Sequence, residues 1–358
     1  MSILLFILVL GVLIFVHELG HFLVAKKSGI RVDEFAIGFP PRIFSITKGG
    51  TRYALNLIPF GGYVKIFGET PEDGATDKTA TDSMINKSKW VQAAVLVAGV
   101  TFNIIFAFIL FIILFVRGSE FNSNIVPFIQ HSEGVRINYI VDNSIAQKAG
   151  LMEGDIVESV QIKNKEKITD VEEIFGVLYS DKKENTDVTV LKNDGSTKTV
   201  SLIPSNSEEK FGFSMTDQIY VKENIVKATG YAALATVNMT KLTAVGLFDF
   251  FVKLFTGNAN FKEVAGPVGI VGLVGTAAEN GLNDVLFLTA IISVNLAVLN
   301  LLPFPALDGG RLVIVAIEAI RRKDLNYQKV AIINAIGFFL LITLMIVLTF
   351  HDIKNLFN

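Results

Sequence analysis

The chain has 358 residues, 51% of them hydrophobic and 18% charged, with a mean hydropathy of +0.51; this is too apolar for an ordinary soluble protein of its size and indicates an integral membrane protein. A net charge of −2 excludes the global basic field that nucleic acid would require, so no nucleic-acid partner is expected. There is no cysteine, which rules out disulfides, iron–sulfur clusters and thiolate ligands and leaves His, Asp and Glu to hold any metal.

The first apolar run, residues 3–25, has the length of a membrane span. No basic residue precedes it and no Ala-x-Ala-like site follows it, so a retained span is expected rather than a cleaved signal peptide. Inside it stands "FVHELGHFLV". On a helix, His17 and His21 lie one turn apart on one face and can offer two imidazole nitrogens to a single ion, with Glu18 beside them. This is the H-E-x-x-H spacing of zinc hydrolases, in which the glutamate is the base and not a ligand. Three ionisable groups within five residues are expensive in lipid if they serve packing alone.

Residues 26–89 carry "KKSGIR" and "NKSKW", and a second span follows at 91–116. The segment 123–205 is polar, with short alternating apolar stretches around an expected "NDG" hairpin turn at 193–195. It contains "SIAQKAGLMEGDIVESV", read as a short helix, a turn and a strand. That stretch is similar to the PDZ domains of secreted proteases, which bind chain ends or extended segments at a strand edge. Residues 206–281 are expected to be a linker followed by an amphipathic helix at the outer interface, because Lys227, Lys241, Asp249 and Lys253 interrupt its apolar character.

The run 285–320 is too long for one span and is interrupted by "NLLPFPALDGGR"; Pro303 and Pro305 make it a broken span. A last span is expected at 330–350, after "RRKDLNYQK". With four spans, all three basic clusters fall on one side. The positive-inside rule makes that side cytoplasmic and puts both termini and the 123–205 domain outside. Asp308, the acid in the broken span, would ordinarily be read as a turn residue. Its depth matches that of His17, which lies about 24 Å along the first helix at 1.5 Å per residue. Both groups then belong near the cytoplasmic third of the bilayer, while His131 and His351 are poorly placed to join them.

"HELGHFLVAKKSGIRVDEFAIGFPPRIF", "LNLIPFGGYVKIFGE", "GPVGIVG" and "NLLPFPALDGGR" together resemble the site-2 proteases, specifically the bacterial branch that cleaves anti-sigma factors in envelope stress signalling. The resemblance implies a polytopic α-helical protein of the bacterial cytoplasmic membrane with four transmembrane helices, a membrane-dipping β-hairpin and an inserted extracytoplasmic PDZ-like α+β domain. It implies Zn2+ held by His17, His21 and Asp308, with Glu18 as general base. Asn300 and Pro303 match the family's Asn-x-x-Pro element, thought to hold the substrate backbone. The region from about Tyr53 to Glu69, with Gly61, Gly62, Tyr63 and Val64, matches the hairpin that pairs with an extended substrate. The implied substrates are single-span membrane proteins already cut by another protease: an anti-sigma factor, remnant signal peptides, or both. The extracytoplasmic domain would exclude uncut ones. Two departures stand out: the family's Gly-Phe-Gly-Pro reads Gly38-Phe39-Pro40-Pro41 here, and one PDZ-like domain fits where some relatives carry two.

Two other classes remain at this point. A membrane metal-ion transporter would also use a midplane His/Asp site beside a broken helix, though inverted repeats are not found. A catalytically dead scaffold would lack a ligand or the glutamate, and all four positions are filled.

Overall fold

A computed structural model describes residues 2–69, 79–122, 124–129, 135–141, 143–162, 165–169, 171–180, 184–192, 196–204, 210–216, 218–257 and 265–356. The chain divides into two compact units, one formed by residues 1–117 and 224–358, the other by 118–223.

The first unit begins with α1 (Ser2–Lys27), which carries Lys26 and Lys27 in its last turn. It stops at Gly29, whose φ of +66° lets the Ile30 N–H turn back to the Ala25 carbonyl at 2.9 Å. Then come β1 (Val32–Lys48) and β2 (Thr51–Ile66), joined at Gly49–Gly50. Near the turn they pair from Lys48↔Thr51 to Phe39↔Ile58, and at the other end from Ile37↔Gly62 to Val32↔Ile66. Residues 34–37 also lie opposite 52–55, so the bent hairpin folds against itself and leaves 62–66 with a strand partner on one side only among the described residues. The hairpin is therefore larger than the expected stretch from Tyr53 to Glu69, which supplies its second strand; the first starts at Val32. Buried Glu34 is its polar centre, accepting from Arg42 Nη2 at 2.8 Å and from the Tyr63 hydroxyl at 3.1 Å. A second long helix, α2 (Lys89–Arg117), completes this part.

The second unit holds β3 (Ser119–Asn122), β4 (Val135–Ile140), α3 (Ile145–Lys148), β5 (Ile156–Ile162), β6 (Lys167–Ile168) and α4 (Val171–Leu178). It continues with β7 (Thr186–Leu191), β8 (Thr197–Leu202), β9 (Phe213–Thr216) and β10 (Gln218–Val221). Its main sheet runs β8-β7-β5-β4-β9, with β6 added to β5, while β3 pairs with β10. Alternate residues of β7, from Thr186 to Val190, face a core shared with Val135, Ile137 and Leu202. The expected boundaries of 123–205 are too narrow: β9 belongs to the same sheet through β4, and β10 returns to β3, so residues 213–216 and 218–221 are not linker. The polar run before Phe211 conceals this, since only pairing with distant strands reveals the role of those residues. The expected turn at 193–195 lies outside the described residues; on either side of it Leu191 pairs with Thr197.

The chain returns to the first unit through α5 (Ile225–Phe255), capped by the Asn224 side chain, which accepts from the N–H groups of Val226 and Lys227. Next are α6 (Pro267–Asn280), α7 (Leu282–Leu301), α8 (Asp308–Arg321) and α9 (Tyr327–Leu356). Among the described residues, four helices are long and apolar enough to cross a membrane, at 2–27, 89–117, 282–301 and 328–354. The broken span appears as α7, an irregular stretch at 302–307 holding both prolines, and α8.

The helix expected to lie across the outer interface does not lie across the helix ends. Tyr231 meets Phe115 near the end of α2 at 6.0 Å, and three turns later the Thr243 hydroxyl donates to Asn295 Oδ1 of α7 at 3.0 Å. α5 thus runs alongside α2 and α7. Ala228, Ala232 and Ala235, all fully buried, explain the difference, because small side chains let helix backbones approach in a low-polarity surround.

Candidate active site

The crossing of α1 and α2 determines where the polar residues of α1 point. At Gly20 a Cβ would stand 2.5 Å from the Ala98 carbonyl oxygen, and at Gly99 one would stand 2.8 Å from His17 Nε2. Neither helix tolerates a side chain at the contact, so the backbone of α2 serves as the wall against which both imidazoles lie. His17 and His21 are each 8% exposed, one turn apart on the buried face of α1.

Asp308 reaches them from the first turn of α8. Its Oδ2 is 3.1 Å from His17 Nε2 and 3.4 Å from His21 Nε2, and the two Nε2 atoms are 3.1 Å apart. Four-coordinate zinc with bonds of about 2.0–2.1 Å requires donor–donor edges of about 3.3 Å. The three atoms form a triangle of that size with the donor chemistry zinc accepts, so the residues fit the ion; the three also form a group able to hold a metal among the described residues.

A cavity of about 220 Å3 opens on this triangle. Glu18, Tyr63, Val64, Ile66, Glu69 and Asp308 line it together with the two histidines. Gly62 packs on α1, where a Cβ would come within 3.8 Å of Glu18 Cγ. The margin strand 62–66 therefore runs beside the carboxylate next to the histidines. Gly61 is buried under the Phe39 ring, and Asn300 and Pro303 are not among the lining residues.

Three contributors escaped the reading of the sequence. The Val95 carbonyl of α2 accepts from His21 Nδ1–H at 2.8 Å. Asn103, fully buried on the same helix, lies 3.3 Å from His17 Nδ1. Arg311, one turn past Asp308, is paired with Glu69, binding its carboxylate and, at 2.8 Å, its carbonyl oxygen. A carbonyl carries no sequence signal, but Asn103 did: it is an amide in the middle of an otherwise apolar span. Of the other histidines, His131 lies outside the described residues and His351 stands near the end of α9, far along the chain from this cluster.

Comparison with known proteins gives a consistent picture. The profile of "Peptidase family M50" matches residues 5–344. The chain is 35% identical to a Clostridium acetobutylicum protein provisionally designated a zinc metalloprotease, over 97% of this chain and 96% of that one. It is 30% identical to the regulator of sigma-W protease RasP of Bacillus subtilis, and 31% identical to the zinc metalloprotease RasP of Bacillus licheniformis, over 98% of both chains in each case. The alignment with the Bacillus subtilis protein spans 436 positions against 358 residues here, so that relative carries residues with no counterpart in this chain.

Proposed function

The chain belongs to peptidase family M50 and is a membrane zinc metalloprotease, and from that premise we propose that it hydrolyses a peptide bond within or beside the transmembrane segment of single-span membrane proteins. The observation that carries this reading is the meeting of His17, His21 and Asp308 with Glu18 and a one-sided strand in one cavity among the long apolar helices. Family membership removes the ground for the ion-transporter reading.

In this proposal His17, His21 and Asp308 hold Zn2+ and leave one position open. Zinc, when bound, polarises the scissile carbonyl and makes water acidic enough to give up a proton near neutral pH. Glu18 takes that proton and delivers it to the departing amide nitrogen, so the acyl carbon gains a hydroxyl as the amine leaves neutral. A transmembrane helix hides its carbonyls in its own hydrogen bonds, so a substrate must first be locally unwound. Residues 62–66, with Tyr63 and Val64 toward the cavity, are suited to accept the unwound stretch as an added strand. Gly61 and Gly62 are assigned to the same substrate-binding stretch, with Gly62 letting the strand pack against α1 beside Glu18. Asn300 and Pro303, at the end of α7 and in the break that follows, are assigned to the substrate backbone further from the reacting bond.

The assigned substrates are stubs left by an earlier cut, an anti-sigma factor or remnant signal peptides, and the 118–223 unit is read as a PDZ-like domain that meets extended chain ends outside the cytoplasm. Deleting that unit should leave zinc content and stub cleavage intact while admitting uncut substrates. The orientation proposed is a cytoplasmic-membrane protein with the 26–89 region and the loop at 321–329 on the cytoplasmic side. Single cysteines in this cysteine-free chain test it: labelling at position 323 by an impermeant thiol reagent on whole cells would overturn the orientation. Quantitative membrane proteomics with Glu18→Gln tests the activity. Single-span stubs should accumulate, and an unchanged stub population argues against intramembrane cleavage.

A further inference from the structure

We infer that Asn103 is a positioning residue for the metal site, an amide that selects which nitrogen of His17 carries the proton. The inference rests on the assignment of His17 as a ligand through Nε2. A neutral imidazole has one N–H and one lone pair, so Nε2 can bind a metal only when Nδ1 holds the proton. For His21 that choice is made by the Val95 carbonyl, which can only accept and so keeps the proton on Nδ1 at 2.8 Å. His17 has no carbonyl in that place. What faces its Nδ1, at 3.3 Å, is the fully buried side chain of Asn103, whose Nδ2 is the nearer atom and whose Oδ1 has no hydrogen-bond partner.

An amide has the same shape in either orientation, and a half-turn exchanges a donor for an acceptor at the same point. With Nδ2 facing Nδ1, the His17 proton sits on Nε2 and is donated to Asp308 Oδ2 at 3.1 Å. With Oδ1 facing Nδ1, Oδ1 acquires the partner it lacks, and the Nε2 lone pair is directed to the point shared with His21 Nε2 and Asp308 Oδ2. The half-turn leaves Nδ2 in the place Oδ1 vacates, so the amide's own bonding does not decide between the two; the second arrangement is the one in which His17 Nε2, His21 Nε2 and Asp308 Oδ2, 3.1–3.4 Å apart, can all serve as ligands. Asn103 is held for this task from the other side of its residue: its backbone carbonyl accepts from the Ser293 hydroxyl of α7 at 2.8 Å. α2 thus supplies an acceptor to each histidine, one from the backbone and one from a side chain.

The test is zinc affinity of the full-length protein in detergent, measured by competition with a chromophoric chelator, together with the visible spectrum of the Co2+-substituted protein. Asn103→Ala is expected to bind zinc about 10- to 100-fold more weakly and to shift the Co2+ bands. Asn103→Asp, which keeps an acceptor at the same place, is expected to restore both. Wild-type affinity in Asn103→Ala overturns the inference, and so does an equal loss in both variants, which marks a packing role instead. If Asn103→Ala does not fold, Asn103→Asp decides alone: near-wild-type zinc affinity supports the inference, and a tenfold or greater loss overturns it. His17→Ala is measured in parallel. If it keeps wild-type affinity the ligand set itself is wrong, whereas its loss of zinc beside an unaffected Asn103→Ala confines the failure to the positioning role.

Discussion

The two units bury polar groups for opposite reasons. In the 118–223 unit, the partners of the fully buried Asp155 meet on one oxygen, Oδ2: Lys192 Nζ at 2.6 Å and the Met152 N–H at 2.8 Å, with Lys192 also reaching the Gly150 carbonyl at 2.7 Å. The group secures the turn before β5. In the membrane unit, His17, His21 and Asp308 point three donor atoms at one another, with other residues behind them. Water can compensate a polar side chain at the surface of the 118–223 unit, so this carboxylate is taken inside with a cation against it, as part of the structure. In lipid no such compensation exists outside the protein, so polar groups collect inside and their arrangement reports chemistry. The first kind of cluster should govern stability and the second activity.

The strongest way to break this contrast is Glu18→Gln. Glu18 lines the cavity but is not one of the three converging donors, so cleavage of a model stub should fall by at least about 1,000-fold while zinc measured by metal analysis stays at one per chain. His17→Ala or His21→Ala should lose both. Retained cleavage in Glu18→Gln would remove the base assignment. Next is Lys192→Met, which leaves Asp155 buried without its cation and should destabilise the 118–223 unit by about 3–5 kcal/mol. Faster limited proteolysis within that unit at unchanged zinc content is the expected readout, and lost zinc would blur the division between the clusters. Gly99→Ala places a methyl against both imidazoles and should lower zinc affinity even though Ala is the better helix former; unchanged affinity would mean the helices can separate freely. The smallest effects belong to Thr243→Val and Ser293→Ala, each removing one interhelical hydrogen bond. Such bonds average about 0.6 kcal/mol in membranes, so unfolding in mixed detergent should shift only slightly.

What could be read from the sequence follows the same division. The spans, the break at Pro303–Pro305 and the pairing of His17 with His21 were legible because lipid imposes length and exclusion rules that act residue by residue. That Asp308 completes the triangle could be anticipated only from depth and family resemblance, and its contact spans 291 positions of chain. Val95 and the Arg311–Glu69 pair were not legible, since a carbonyl is present at every residue and an ion pair 242 positions apart leaves no local pattern. α5 was misplaced because its lysines lowered its hydropathy, while the alanine stripe that seats it against α2 acts only once a neighbour is present. β9 was missed because a four-residue strand is recognisable mainly by its partner.

The short ladder between β3 and β10 bears on how this chain tolerates length. Ser119 pairs with Val221 and Asn122 with Gln218, so the polypeptide enters and leaves the 118–223 unit at neighbouring points. For the helices on either side, a connection of 106 residues, 223 − 118 + 1, behaves as a link of only a few. Closing a flexible loop of that length instead would cost about 2–3 kcal/mol more than closing a short one. With its ends already joined, the segment can lengthen, shorten or be exchanged without altering the loop-closure entropy borne by the helices that carry His17 and Asp308.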